Sequence, residues 1–150
     1  MKKLVIALAI LTIMIIGCRS IRPKNLGVTA GKLAPCPSSP NCVNSQAEDA
    51  DHRIAPFKYT NSLADAKSAL KSVIAALPRT NVVTETNDYL HVEFTTAILR
   101  FVDDVEFYFD DQRKVIELRS ASRVGHSDLG VNRKRIETIR RALPVEMRGE

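Results

Sequence analysis

The chain has 150 residues, of which 45% are hydrophobic and 26% charged, with a net charge of +5 and a sequence pI of about 9.3. That length supports one domain with one modest core. Six Gly, seven Pro and three Cys exclude a collagen-like, low-complexity or disulfide-dense chain.

The first element is a targeting segment. Lys2 and Lys3 give it a positive start, and Leu4–Ile16 is an apolar run interrupted only by Thr12. Such a run has the length of a signal-peptide core and is short for a bilayer span. Ile15-Ile16-Gly17-Cys18 resembles the bacterial lipobox, in which the cysteine becomes the acylated first residue of the mature protein. Residues 1–17 therefore read as a lipoprotein signal peptide and Cys18 as the lipidation site, in preference to an ordinary cleaved signal or a plain N-terminal anchor. The resemblance implies a cell-envelope protein held on a lipid bilayer by several acyl chains, which anchor durably where one does not. Arg19, rather than Asp, follows the cysteine. In a source with two membranes this implies the outer membrane, facing the periplasm. Processing removes Lys2 and Lys3 and lowers the net charge from +5 to +3, so the basic pI loses its force as a sign of a nucleic-acid partner.

Residues 18–32, polar and containing Pro23, Gly27 and Gly31, read as a tether that holds a domain at 33–145 off the membrane; 146–150 form a tail. Cys36 and Cys42 lie close together in a chain exported to an oxidising compartment, which favours a disulfide. A metal site would need further ligands, and no His stands at finger spacing. A redox pair would need two intervening residues instead of five.

Val43–Asp51 reads as a surface loop. Arg53–Thr60 fits a short strand, which Pro56 confines to an edge. Ser62 caps the clearest helix, with Asp65 completing a capping-box-like pair. Leu63, Ala66, Leu70, Val73, Ile74 and Leu77 form its apolar stripe, and Pro78 ends it. Four strands follow. Asn87-Asp88 turns between the first two, because both residues tolerate positive φ. Between Thr96 and Val102 the alternation breaks, which predicts a bulge or bend. From Val105 it is clean, and a four-residue loop at 111–114 sets Phe109 near Ile116, Phe107 near Leu118 and Glu106 opposite Arg119. A two-residue loop would oppose Glu106 and Glu117, a like-charge pair. Ser127 or Asp128 then caps a closing helix whose inner face carries Leu129, Ile136, Ile139 and Leu143.

The predicted order is β-α-β-β-β-β-α, an α+β fold with an antiparallel sheet and two helices packed on one face. Phe94, Phe107, Phe109, Leu118, Leu70 and Ile139 are its expected core.

Three blocks, Arg119–Arg140, Leu99–Phe107 and Pro40-Asn41-Cys42-Val43, together resemble the domain-of-unknown-function family 1499 over roughly residues 33–143. The resemblance implies a fold and carries no established activity.

Candidate ligand-binding residues cluster where the last strand meets the closing helix: Arg100, Arg119, Ser120, Ser122, Arg123, Ser127, Asp128, Asn132 and Arg133. A helix N-terminus with nearby Arg and Ser groups suits an anion, and Gly130 in the first turn would admit a close neighbour. The competing reading is that these groups brace the joint through a cap, through salt bridges from Arg123 to Asp103 or Asp128, and through Asn bonds to the loop. The basic run Arg133–Arg135 with Arg140-Arg141 reads as a solvated face. His126-Ser127-Asp128 is contiguous, whereas a triad draws its members from separated elements; no catalytic residue, metal or cofactor is expected. The function expected is non-enzymatic binding of a small anionic or amphipathic ligand, or of an envelope protein partner, at this joint. The rivals are a structural or interaction module without a ligand and, behind it, a hydrolase.

Overall fold

A computed structural model describes residues 21–149; the signal segment and Cys18 lie outside the described residues. The strands are β1 (Cys42–Asn44), β2 (Phe57–Lys58), β3 (Thr80–Glu85), β4 (Tyr89–Thr95), β5 (Val102–Asp110) and β6 (Val115–Ser122). The helices are α1 (Leu63–Ala75) and α2 (Val131–Ala142), followed by a 3-10 turn at Val145–Met147. All strand pairs are antiparallel, in the order β1-β6-β5-β4-β3, with β2 also on the free edge of β6.

Alternation along β5 and β6 sets the centre of the sheet. Phe109 pairs with Ile116, Phe107 with Leu118 and Glu106 with Arg119, across a loop at 111–114. This is the register that opposite charges favour over the like-charge alternative. Phe107, Phe109, Ile116 and Leu118 point to the helix side and join Leu70 and Ile74 of α1 and Ile136 and Ile139 of α2 in one buried cluster. Phe94 belongs to it as well, so all six expected core residues lie there. Each large apolar side chain so buried contributes about 1.5–3 kcal/mol.

Helix α1 starts and stops as its sequence dictates. The Ser62 Oγ accepts from the Asp65 amide at 3.1 Å and donates to the Asp65 carboxylate at 2.7 Å, and the last helical residue, Ala75, comes three residues before Pro78. At 87–88 the chain turns in two residues, with the Thr86 amide donating to the Tyr89 carbonyl, yet neither Asn87 nor Asp88 takes positive φ. The Lys67 ammonium donates to the Thr86 and Asn87 carbonyls instead, which ties the hairpin to α1.

The structure corrects further expectations. Val43 and Asn44, placed in a surface loop, are buried and with Cys42 form β1 against β6. Three residues are too few to show a period, and the open edge of β6 supplies the reason for pairing. The closing helix begins at Val131, behind a Gly130 cap at φ 77, not at Ser127 or Asp128. Leu129 consequently sits in the preceding turn at φ 54 and is 94% exposed, not on the apolar face. Nothing lies within 4 Å of a Cβ built on Gly130, so its place depends on left-handed backbone and not on a close neighbour.

The other face of the sheet is also covered. Residues 22–32, read as part of a tether, lie along it together with Leu33. Arg22 bonds Glu93, the Gly27 amide bonds Glu106, and Leu33 is buried with its amide on Gln46. Under this segment His91, Asp104, Glu106, Glu117 and Arg119 are buried. Cys36 and Cys42 form a disulfide at the entry to β1. Among the described residues no helix is long and apolar enough to cross a membrane.

Candidate functional site

One end of the sheet gathers the start of β5, the end of β6 and the first turn of α2. Asn132, fully buried, is its centre. The Asn132 Oδ1 accepts from Ser120 Oγ and from Arg135 Nη1, both at 2.6 Å. Its Nδ2 donates to the Asn41 carbonyl and Ser122 Oγ at 3.0 Å, and to Asp128 Oδ2 at 2.8 Å. Arg135 also pairs with the Asp103 carboxylate and stacks over the Phe94 ring at 4.9 Å. The Asn41 Nδ2 closes the loop by donating to the Gly125 carbonyl at 2.6 Å. Every one of these polar groups is buried or half-buried and partnered, as burial requires.

Because side chains alternate along a strand, Arg119 and Arg123 project from the opposite face to Ser120 and Ser122. There the Arg119 Nη1 donates to Glu106 at 3.0 Å, and Glu106 also accepts from the Tyr89 hydroxyl and the Gly27 amide, each at 2.8 Å. The Arg119 Nε is buried with no partner among the described residues. Arg123 forks onto Asp104 at 2.6 and 2.7 Å and reaches Glu93 at 2.5 Å, while His91 Nε2 lies 2.8 Å from Asp104. Burial pushes the Asp104 carboxyl up, but the hydrogen bonds from Arg123 and His91 outweigh it and hold the group below the usual carboxylate range. Glu93 is likewise pushed up by burial and pulled lower by Arg123 and Arg22. The Asp104 and Glu93 carboxylates in turn raise Arg123.

The nine candidate residues therefore do not converge. Ser120, Ser122, Asp128 and Asn132 meet on the helix side. Arg119 and Arg123 belong to the ion network under residues 22–33, where Arg123 pairs with Asp104 and Glu93 instead of Asp103 or Asp128. Arg100 stands exposed in the 96–101 loop. Arg133 donates to the Asp51 and Arg53 carbonyls, both at 2.8 Å. The helix N-terminus is already served by the chain: Asp128 accepts from the Gly130 and Asn132 amides at 2.9 and 2.8 Å. Ser127 Oγ accepts from the Leu129 amide at 3.2 Å. Of the basic run, Lys134 and Arg141 are exposed as expected, but the rest is engaged. Arg135 is paired, and Arg140 is buried on the Ala55, Pro56 and Arg148 carbonyls and stacks on Phe57.

Two clefts open at this end. One, of about 410 Å³, lies between the loops 96–101 and 124–131 and is lined by Phe101, Val124, Leu129 and Val131 with Asp103 and Ser127. The other, of about 390 Å³, runs between α2 and the end of β4 and is lined by Leu77, Phe94 and Val131 with Arg79, Lys134 and Arg135. They share Thr96 and Val131 and so adjoin. Among the described residues no group of three or more His, Cys, Asp or Glu is placed to hold a metal ion.

Residues 32–143 match a family described as "Protein of unknown function (DUF1499)". The chain belongs to this family. No curated protein and no solved structure matches it. In this DUF1499 domain the three sequence blocks that carry the resemblance meet at one place: Asn41, Asp103 and the 120–135 segment share the Asn132 network.

Asn41, Asp103 and Arg135 were missed as members of this cluster. Adjacent charges at Asp103 and Asp104, between the apolar Val102 and Val105, were the available signal. A strand carries such pairs only when cations answer them on both faces.

Proposed function

We propose that this chain is an acylated envelope lipoprotein, anchored through Cys18, whose single domain binds an amphipathic anionic ligand in the groove formed by the two clefts. In a source with two membranes it faces the periplasm from the outer membrane. The observation that carries the reading is the joint lining of the groove. Phe94, Phe101, Leu129 and Val131 offer an apolar bed, and Arg79 and Lys134 stand exposed at its side. Each cleft has the volume of a small-molecule site, and a few charged groups beside an apolar floor are the usual means of orienting such a ligand. An apolar tail would lie on Phe101 and Val131 while the head group meets Lys134. The anion position at the helix terminus is not used, because Asp128 fills it.

Native mass spectrometry of the mature protein, purified from cells, tests the reading. A retained small molecule is expected in the wild type. Val131→Asp should lose it with an unchanged melting temperature, because Val131 is 41% exposed and lies outside the buried core cluster. A wild-type protein of bare polypeptide-plus-acyl mass would leave the interaction-module reading in its place.

A further inference from the structure

We propose that the end of the sheet carrying the loops 96–101 and 124–131 rests on the surface of the bilayer, with Ile98, Leu99 and Leu129 dipping into the lipid interface. The inference rests on the acylated Cys18 reading and adds an orientation to it. It replaces the expectation that residues 18–32 hold the domain away from the membrane.

The first support is where the exposed apolar residues lie. Ile98 is 88% exposed, Leu99 60%, Leu129 94% and Val131 41%, and all stand at this end with Val124. Ile21, also exposed, precedes Arg22. The remaining two large exposed apolar residues among those described, Val82 and Val145, are isolated elsewhere. The opposite end of the sheet turns through Asn87-Asp88 and Asp111–Lys114, which are polar.

The second support is charge. Arg79, Arg100 and Lys134 are exposed beside the apolar loops. The carboxylates nearby are already engaged: Asp103 by Arg135, Glu93 by Arg22 and Arg123, and Asp128 by the first amides of α2. An apolar tip ringed by cations is the pattern that inserts shallowly into an anionic interface.

The third support is the path of the chain. Arg22 is clamped to Glu93, near the end of β4 that leads into the 96–101 loop. From there the segment runs away from this end, past Glu106 to Gly31 beside Tyr108. Only residues 19–21 separate Cys18 from Arg22. Four steps of extended chain reach at most roughly 14 Å. A lipid anchor on Cys18 thus brings this end of the domain to the membrane.

The chain contains no Trp, so single substitutions give clean optical probes. Ile98→Trp, Leu129→Trp and, as a distant control, Val145→Trp are made in the full chain. The mature proteins are reconstituted into phosphatidylethanolamine–phosphatidylglycerol vesicles with brominated acyl chains, and intact mass establishes acylation. Blue-shifted emission and loss of intensity are expected for the two loop probes, with Val145→Trp unaffected. Loop probes as water-exposed as the control, on acylated protein, overturn the orientation and leave the anchor standing. A blue shift that follows protein concentration without bromine quenching means a second copy covers the loops, and also overturns it. If the mass shows no acyl chains, the anchor reading fails by itself. The same quenching on the unacylated chain then decides whether the loops bind lipid, and its absence overturns the proposal.

Discussion

At Asn132 one carboxamide meets acceptors and donors from β6, α2, the Asn41 backbone and the Asp128 turn. Its donor and acceptor ends are both used, and Asn132→Ala leaves Ser120, Ser122 and the Arg135 fork short of a partner. Stability should fall by about 2–3 kcal/mol, measured by urea unfolding; a change within about 0.5 kcal/mol, typical of neutral surface sites, would remove Asn132 from the centre of the joint. Arg123 has the same standing on the other face. Asp104 and Glu93 have lowered folded pKa values. Their contribution is therefore present above the unfolded carboxylate pKa of about 4 and is lost as pH falls through the folded values. Arg123→Met leaves the buried Asp104 carboxylate with His91 as its side-chain partner among the described residues and should cost about 3–5 kcal/mol near pH 7. Its deficit relative to wild type should shrink as pH is lowered from 7 to about 3 in a series of urea titrations. A deficit that stays constant with pH would mean that Arg123 acts through packing alone.

Among the elements, β1 depends most on context. It is three residues long, and its register against Ala121, Ser120 and Arg119 is held at its entry by the Cys36–Cys42 disulfide. Closing about seven residues contributes roughly 2 kcal/mol by the chain-entropy relation. Reduction, or a Cys36→Ser/Cys42→Ser variant, should lower stability by about that amount and raise amide exchange at Val43 and at Ser122, whose amide donates to Asn41. Exchange that rises equally across β4 and β5 would show that the bridge acts on the whole domain and not on this edge. The central hairpin needs no such support. Alternating Val105, Phe107 and Phe109 against Ile116 and Leu118 would bring polar residues into the core if the register slipped by one.

For the whole molecule, the N-terminal segment decides how the domain is presented. Residues 22–33 complete the cover of the outer sheet face, so the segment is part of the globule along its described length. If Cys18 is the anchor, Cys18→Ser should move the protein from the membrane fraction to the soluble or unprocessed pool, read by fractionation and intact mass. Unchanged membrane association of a fully processed Cys18→Ser chain would reject lipidation at that residue.

Local rules were enough for the α1 cap and stripe, the β5–β6 register, the disulfide and the α+β class, because each depends on residues within one turn, one hairpin or one short loop. Pairing of β1, docking of residues 22–33 and the split of the candidate residues between two faces were decided only in the folded chain. The split illustrates the difference. Alternation sends Arg119 and Ser120 to opposite sides, and the hairpin register sets Glu106 against Arg119, but only the fold supplies Gly27 on one side and Asn132 on the other. Short-range order follows from the backbone period and from steric limits on φ. What a polar side chain finally meets depends on which distant segment covers it, and chain-local physics carries no record of that.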